Sequence, residues 1–218
     1  MKKTLFAFAL CALMLGCVTT STLKLNPLTL DGQKKLTQEG VKAISSEKNV
    51  LVTIRPATES YTSEDRPRLV VNVKSTAGAF MFSPENIKVF VDGNPHRVFT
   101  YDELVAGIKE QEQKEKEKAE KVKEAQYMSG GSGGMSTSSA NKQYNTTLYR
   151  IEQEAAEALK QLDAVALKNL RVSPGKEYSG QVTIEKIPNP EQTHEIKVAV
   201  TVNKETHEFL LNQLAVKQ

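Results

Sequence analysis

The chain has 218 residues and a formal net charge of +3, enough for one domain with a genuine core, or for one domain plus an appendage. Lys2 and Lys3 supply two of those charges, so the chain beyond residue 16 carries +1, and neither nucleic acid nor an anionic membrane face is implied as a partner. Trp is absent and aromatic residues make up 6%, which argues against a surface dedicated to carbohydrate. The cysteines are Cys11 and Cys17; a chain starting at Cys17 has a single thiol and no internal disulfide.

Residues 1–17, MKKTLFAFALCALMLGC, place two lysines before an uninterrupted apolar run over 5–15, followed by Gly16 and Cys17. The run is about half the ~20 residues a helix needs to span a bilayer, so it reads as a secretory signal. A polar stretch, Val18-Thr19-Thr20-Ser21-Thr22, follows at once. With Gly16 before Cys17 and the Met14-Leu15 pair ahead of it, the segment resembles a bacterial lipoprotein signal peptide. Leu10, before Cys11, is too bulky for the same cleavage. The resemblance implies that residues 1–16 are removed and that Cys17 is the lipid attachment site, carrying a diacylglyceryl thioether and an acylated amine. At ~0.8 kcal/mol per buried methylene, several chains make such attachment effectively permanent. Val18 stands where enterobacterial relatives carry an aspartate that retains them at the inner membrane, so the resemblance implies the outer membrane, facing the periplasm. The alternative is an ordinary signal peptide cleaved near Gly16 that leaves a free thiol.

Residues 17–47 read as a lipid-anchored tether, in which small polar residues alternate with leucines around Pro27; Leu23, Leu25, Leu28 and Leu30 leave docking on the domain open. Over 34–46 the spacing of Leu36, Val41 and Ile44 fits either a short helix or a strand and turn. The period then changes to two. Residues 50–54 and 69–73 are β-branched runs bounded by Pro56 and Pro67, with a polar loop at 57–65 between them. Residues 87–91 and 97–100 form a second strand pair, and a turn centred on Gly93-Asn94 would set Val89 opposite Val98.

At Tyr101 the period becomes helical, with Asp102 placed to cap the first turn. Leu104, Val105 and Ile108 start the helix, and 109–124 then holds six lysines and six glutamates. Glu110/Lys114, Glu112/Lys116 and Glu117/Lys121 are i,i+4 pairs in the favourable order, so the helix can persist in water. The Ser/Gly-rich stretch within 128–143 reads as a flexible linker, and it lacks the Gly-Lys-Ser/Thr of a phosphate-cradling loop. Leu148, Ile151, Ala155, Leu159, Leu162 and Ala166 mark a second helix with an apolar stripe. Strands return over 178–187, 196–202 and 207–211. A turn at Asn203-Lys204 sets Val200 opposite His207, Val198 opposite Phe209 and Ile196 opposite Leu211.

Strands on both sides of a helical block imply one mainly β domain interrupted by a long helical pair: an immunoglobulin-like antiparallel β-sandwich over 48–101 and 171–218, with the helical insertion over 102–170. The stretches Ser83-Pro84-Glu85-Asn86-Ile87-Lys88-Val89 and Ser173-Pro174-Gly175, with Ser179-Gly180-Gln181-Val182, are similar to those of uncharacterised proteobacterial lipoproteins with sandwich domains. That similarity implies a fold and supplies no function.

No catalytic, metal or cofactor set emerges. In the hairpin register above, His194 lies six residues along the strand from the position facing His207, roughly 20 Å at ~3.3 Å per residue, so the two cannot share a metal. His207 reads as a buried, satisfied side chain and His96 as an exposed one beside a turn. Serines concentrate in flexible segments, with no Gly-x-Ser-x-Gly elbow, and most carboxylates belong to the charged helix. The leading expectation is a non-enzymatic interaction or assembly protein, held to the membrane by lipid and meeting an envelope protein partner, its oligomeric state open. The alternative is a binding module for a small ligand or cell-wall material, its pocket formed by loops 57–65 and 76–84 with Phe80-Met81-Phe82 as the adhesive surface.

Overall fold

The structure is a computed structural model that describes residues 21–76, 78–129 and 137–216. In chain order the strands before the helices are β1 (Thr22–Leu28), β2 (Lys34–Gln38), β3 (Val41–Glu47), β4 (Val50–Pro56), β5 (Tyr61–Thr62), β6 (Arg68–Ser75), β7 (Phe80–Phe82), β8 (Ile87–Val91), β9 (Asn94–His96) and β10 (Val98–Phe99). Helices α1 (Tyr101–Ser129) and α2 (Thr137–Val165) follow, then β11 (Leu170–Val172), β12 (Glu177–Ile184), β13 (His194–Val202) and β14 (Glu205–Val216). Two six-stranded antiparallel sheets, β5-β1-β14-β13-β8-β9 and β10-β12-β6-β4-β3-β2, face each other, and β11-β7 forms a small third. The molecule is a mainly β, sandwich-like fold with a helical insertion.

Period-two burial builds the core. In β13, Ile196, Val198, Val200 and Val202 are buried, whereas Glu195 and Thr201 are exposed. Val52 and Ile54 of β4 with Leu69, Val71 and Val73 of β6 present the opposing face. Phe82 and Phe209 are the largest fully buried side chains of the shared cluster. The β13-β14 hairpin has the expected register, Val200↔His207, Val198↔Phe209 and Ile196↔Leu211. Asn203 and Lys204 both have positive φ, 47° and 67°, the conformation a two-residue turn needs to match strand twist.

Two local expectations are corrected and one left open is resolved. Residues 22–47 are three strands, not a tether. β1 lies between β5 and β14, with Leu23 and Leu25 buried in its inward positions. β5 covers only its first two residues, so Pro27 sits where the outer edge is open, a placement that a residue without an N–H tolerates. β2 and β3 turn at Glu39-Gly40, both at positive φ, which resolves 34–46 as strand and turn. The β8 hairpin turns at Asp92-Gly93, φ 50° and 80°, so Val89 pairs with His96 and not with Val98. Val98 crosses to the second sheet and pairs with Ile184.

The helices are longer than their apolar patterns suggest. α1 runs through Met128 and α2 begins at Thr137, so the 128–143 linker is reduced to 130–136, which lie outside the described residues. Ala140, within the expected linker, is 2% exposed, so the small-residue stretch packs as helix. Of the expected pairs on α1, Lys114–Glu110 and Lys116–Glu112 form, and Lys116 also reaches Glu152 of α2 at 2.8 Å. Glu117 instead accepts from Gln113 at 3.2 Å. Cys17 and the signal-like segment lie outside the described residues.

Candidate functional site

The histidines are dispersed. His207 is buried on the inner side of β14; Ser46 Oγ lies 3.0 Å from Nδ1, and Glu205 Oε2 is 3.8 Å from Nε2, too far for a hydrogen bond. Burial, reinforced by Lys48, pushes its pKa down, so its ring is neutral near pH 7. His194 opens β13 and is buried beside the β8-β9 turn. Burial alone would lower its pKa, yet Asp92 Oδ2 at 2.7 Å and the Asn189 carbonyl at 3.0 Å raise it on balance. Two acceptors on one ring favour the form in which both nitrogens donate. His194 also holds the Asp92 carboxylate below its ordinary range, with the Glu195 N–H contributing. His96 is half-buried, its Nε2 2.9 Å from the Glu185 carbonyl, and not freely exposed. Among the described residues, no group of three or more His, Cys, Asp or Glu is placed to hold a metal ion.

Short strands lie within the loops at 57–65 and 76–84. Tyr61 lies in β5, packs on the core and donates its hydroxyl to the buried Gln213. Phe80-Met81-Phe82 is β7, paired with β11; Phe82 belongs to the core and Met81 is 63% exposed. The expected adhesive triplet is divided between inside and outside.

A concavity lies at the root of the helical pair. Thr100 and Glu103 start α1: Glu103 Oε2 accepts the Thr100 N–H at 2.8 Å, and the Glu103 N–H donates to Thr100 Oγ1 at 3.3 Å. This reciprocal arrangement is a capping box; the signal Thr-x-x-Glu is legible in the sequence, and Asp102 is not the cap. The Thr100 N–H, with the Arg97 guanidinium at 2.6 Å and the Thr100 hydroxyl, holds the Glu103 carboxyl down at about 2. At the other end, Asp163 of α2 accepts from the Tyr101 hydroxyl at 2.9 Å and from Lys168 at 2.5 Å. The Leu167 N–H then donates to the Gln181 carbonyl of β12 at 2.9 Å, and Ala166 bridges the same residue. Gly180 permits this approach, because a Cβ there would lie 2.6 Å from Leu167 Cα.

Between these clamps opens a cleft of about 690 Å³. Leu104 and Ile108 of α1 and Ala158, Leu162 and Val165 of α2 form its aliphatic walls. Arg68 of β6 and Gln181 and Thr183 of β12 line it from the second sheet, Arg66 from the loop before β6, and Gln111 and Gln161 from the helices. The Arg66 and Arg97 guanidinium groups each lie over the Phe99 ring, at 4.3 and 4.7 Å from its centroid. A second groove of about 320 Å³ continues between the helices, where Glu112, Glu115, Arg150 and Glu154 make it charged. The sequence pattern could not assemble this site, because its walls come from four separated segments. Gly107, which lines it from inside α1, is the one local clue.

Among the described residues, no helix is long and apolar enough to cross a membrane. No protein-family model, curated protein or solved structure matches the chain.

Proposed function

We propose that the protein is a lipid-anchored component of the bacterial cell envelope with a non-enzymatic interaction or assembly role, in which the helical hairpin is the arm that meets a protein partner. The observation that carries this reading is the construction of the hairpin. Each helix has 29 residues, about 44 Å at 1.5 Å per residue. The helices pack on each other, and among the described residues neither contributes a side chain to the sandwich core cluster. An excursion of this length is far more than a connection requires. Its outer surface carries Val122 and Tyr149, 57% and 66% exposed, amid charged residues that keep it soluble without a partner. The lipoprotein-like segment ending at Cys17 supports a place at the membrane surface, with the outer membrane favoured by Val18.

Photocrosslinking residues placed in cells at Val122 and Tyr149, and for comparison at Leu30 and Met81 of the sandwich, test the arm. One discrete envelope-protein adduct from both helical positions, absent from the sandwich positions, is the expected result; labelling confined to 30 and 81, or none, refutes it. Incorporation of labelled palmitate into the chain, abolished by Cys17→Ser, tests the anchor.

A further inference from the structure

We propose that the cleft at the hairpin root is a binding site for a single-chain amphiphile with an anionic head, such as a fatty-acyl carboxylate, an activity beyond partner binding by the arm. Charge complementarity supports this occupant. Arg66 and Arg68 are the charged residues lining the cleft, and no carboxylate lines it. Neither arginine is ion-paired among the described residues. The Arg66 guanidinium lies over the Phe99 ring at 4.3 Å from its centroid, a contact that does not neutralise its charge, so an anion can still pair with it. The volume falls within the ~300–1,000 Å³ range of small-molecule sites.

The walls point to the tail. Leu104, Ile108, Leu162 and Val165 are aliphatic, and no aromatic ring lines the cleft, so a flexible chain finds matching contacts while a flat ring finds no stacking partner. Gly107 adds a second observation. A glycine inside a helix is destabilising by about 1 kcal/mol relative to alanine, and close approach is its usual justification. A Cβ at Gly107 would meet nothing within 4 Å. What its missing side chain preserves is open space in the cleft.

The test is calorimetric titration of the full chain, carrying Cys17→Ser so that no attached lipid competes, with dodecanoate below its micellar concentration. Dodecanol and dodecyltrimethylammonium serve as the uncharged and cationic comparisons. One dodecanoate per chain is expected, with both comparison chains at least ~10-fold weaker. Arg68→Gln should weaken dodecanoate binding about 10-fold, the effect of one lost charge-assisted contact. Gly107→Leu should abolish it by filling the cleft while the melting temperature holds or rises, because leucine is the better helix former. No dodecanoate binding, equal binding of the cationic chain, or binding indifferent to Gly107→Leu overturns the proposal.

Discussion

Gly180→Ala should detach the root of the helical arm from the sandwich. The added methyl would lie 2.6 Å from Leu167 Cα and 2.8 Å from Leu167 Cβ and Cδ1. The nearest atom is backbone, so no rotamer change relieves the contact, and the 166–167 segment must move off β12. Overpacking of this kind costs about 1–3 kcal/mol. The Leu167 N–H bond to Gln181, 2.9 Å long, is lost with it for about 1 kcal/mol more. A loss of roughly 2–4 kcal/mol lowers the melting temperature by about 2–4 °C per kcal/mol in a chain of this size. Thermal and urea unfolding measure the loss, and amide exchange places it: protection should fall first at Ala166 and Leu167. Gly107→Ala is the matched control, a glycine with open space that should gain up to ~1 kcal/mol. Equal stability of Gly180→Ala and wild type, or unchanged protection at Leu167, refutes the reasoning.

Leu23→Ala, at a site 1% exposed, should lose about 2–5 kcal/mol in urea unfolding; a neutral result would return this segment to the tether reading. Thr100→Ala should remove the capping box for about 1 kcal/mol, read as lost amide protection in the first turn of α1; unchanged protection there refutes the capping role. Glu103 is held at about 2, so in wild type its contribution is complete above the ordinary carboxylate value near 4.3 and is lost only as pH falls towards 2, which exchange rates in acid check. The two buried histidines act in opposite directions. His194, raised, contributes stability that is complete below its ordinary value near 6.5 and lost as pH rises through its folded pKa, whereas His207, lowered, loses stability as pH falls below that value. His194→Gln should therefore make stability fall more steeply on acidification from pH 8 to 5.5; parallel curves for the variant and wild type refute the assignment.

The β13-β14 hairpin was legible because three apolar cross-strand pairs and a turn at Asn203-Lys204 agree on one register. The β8 hairpin departs from a Gly93-Asn94 turn by one residue: both central residues of a tight turn need positive φ, and Asp92-Gly93 meets that demand. Val98, in β10, pairs with Ile184 of β12, 86 positions away, which no local period reports. Leu23 and Leu25 carried the strand alternation of β1, but Pro27 argues for a break unless the strand's open edge is known. Helix α2 is legible from its apolar stripe, whereas its first turns are not, because Thr137-Ser138-Ser139 reads as linker and only the structure shows Ala140 buried. The cleft was the least legible element. Its arginines, its aliphatic walls and Gly107 acquire a common meaning only when two sheet strands and two helix ends converge.

The crossing of the chain at Arg97 has a topological corollary. β10 precedes the arm and β12 follows it, and the two are hydrogen-bonded partners, Val98 with Ile184 and Phe99 with Thr183. The exit and return points of the excursion are thus neighbours within one sheet; β11 rejoins the sandwich through β7 on the way back, and the two helices before it are a closed side loop. Closure entropy grows only by about 0.6 kcal/mol for each doubling of such a loop. The arm's reach is therefore nearly independent of the sandwich's stability, and whole turns can be added to or removed from the two helices together without altering a single strand register.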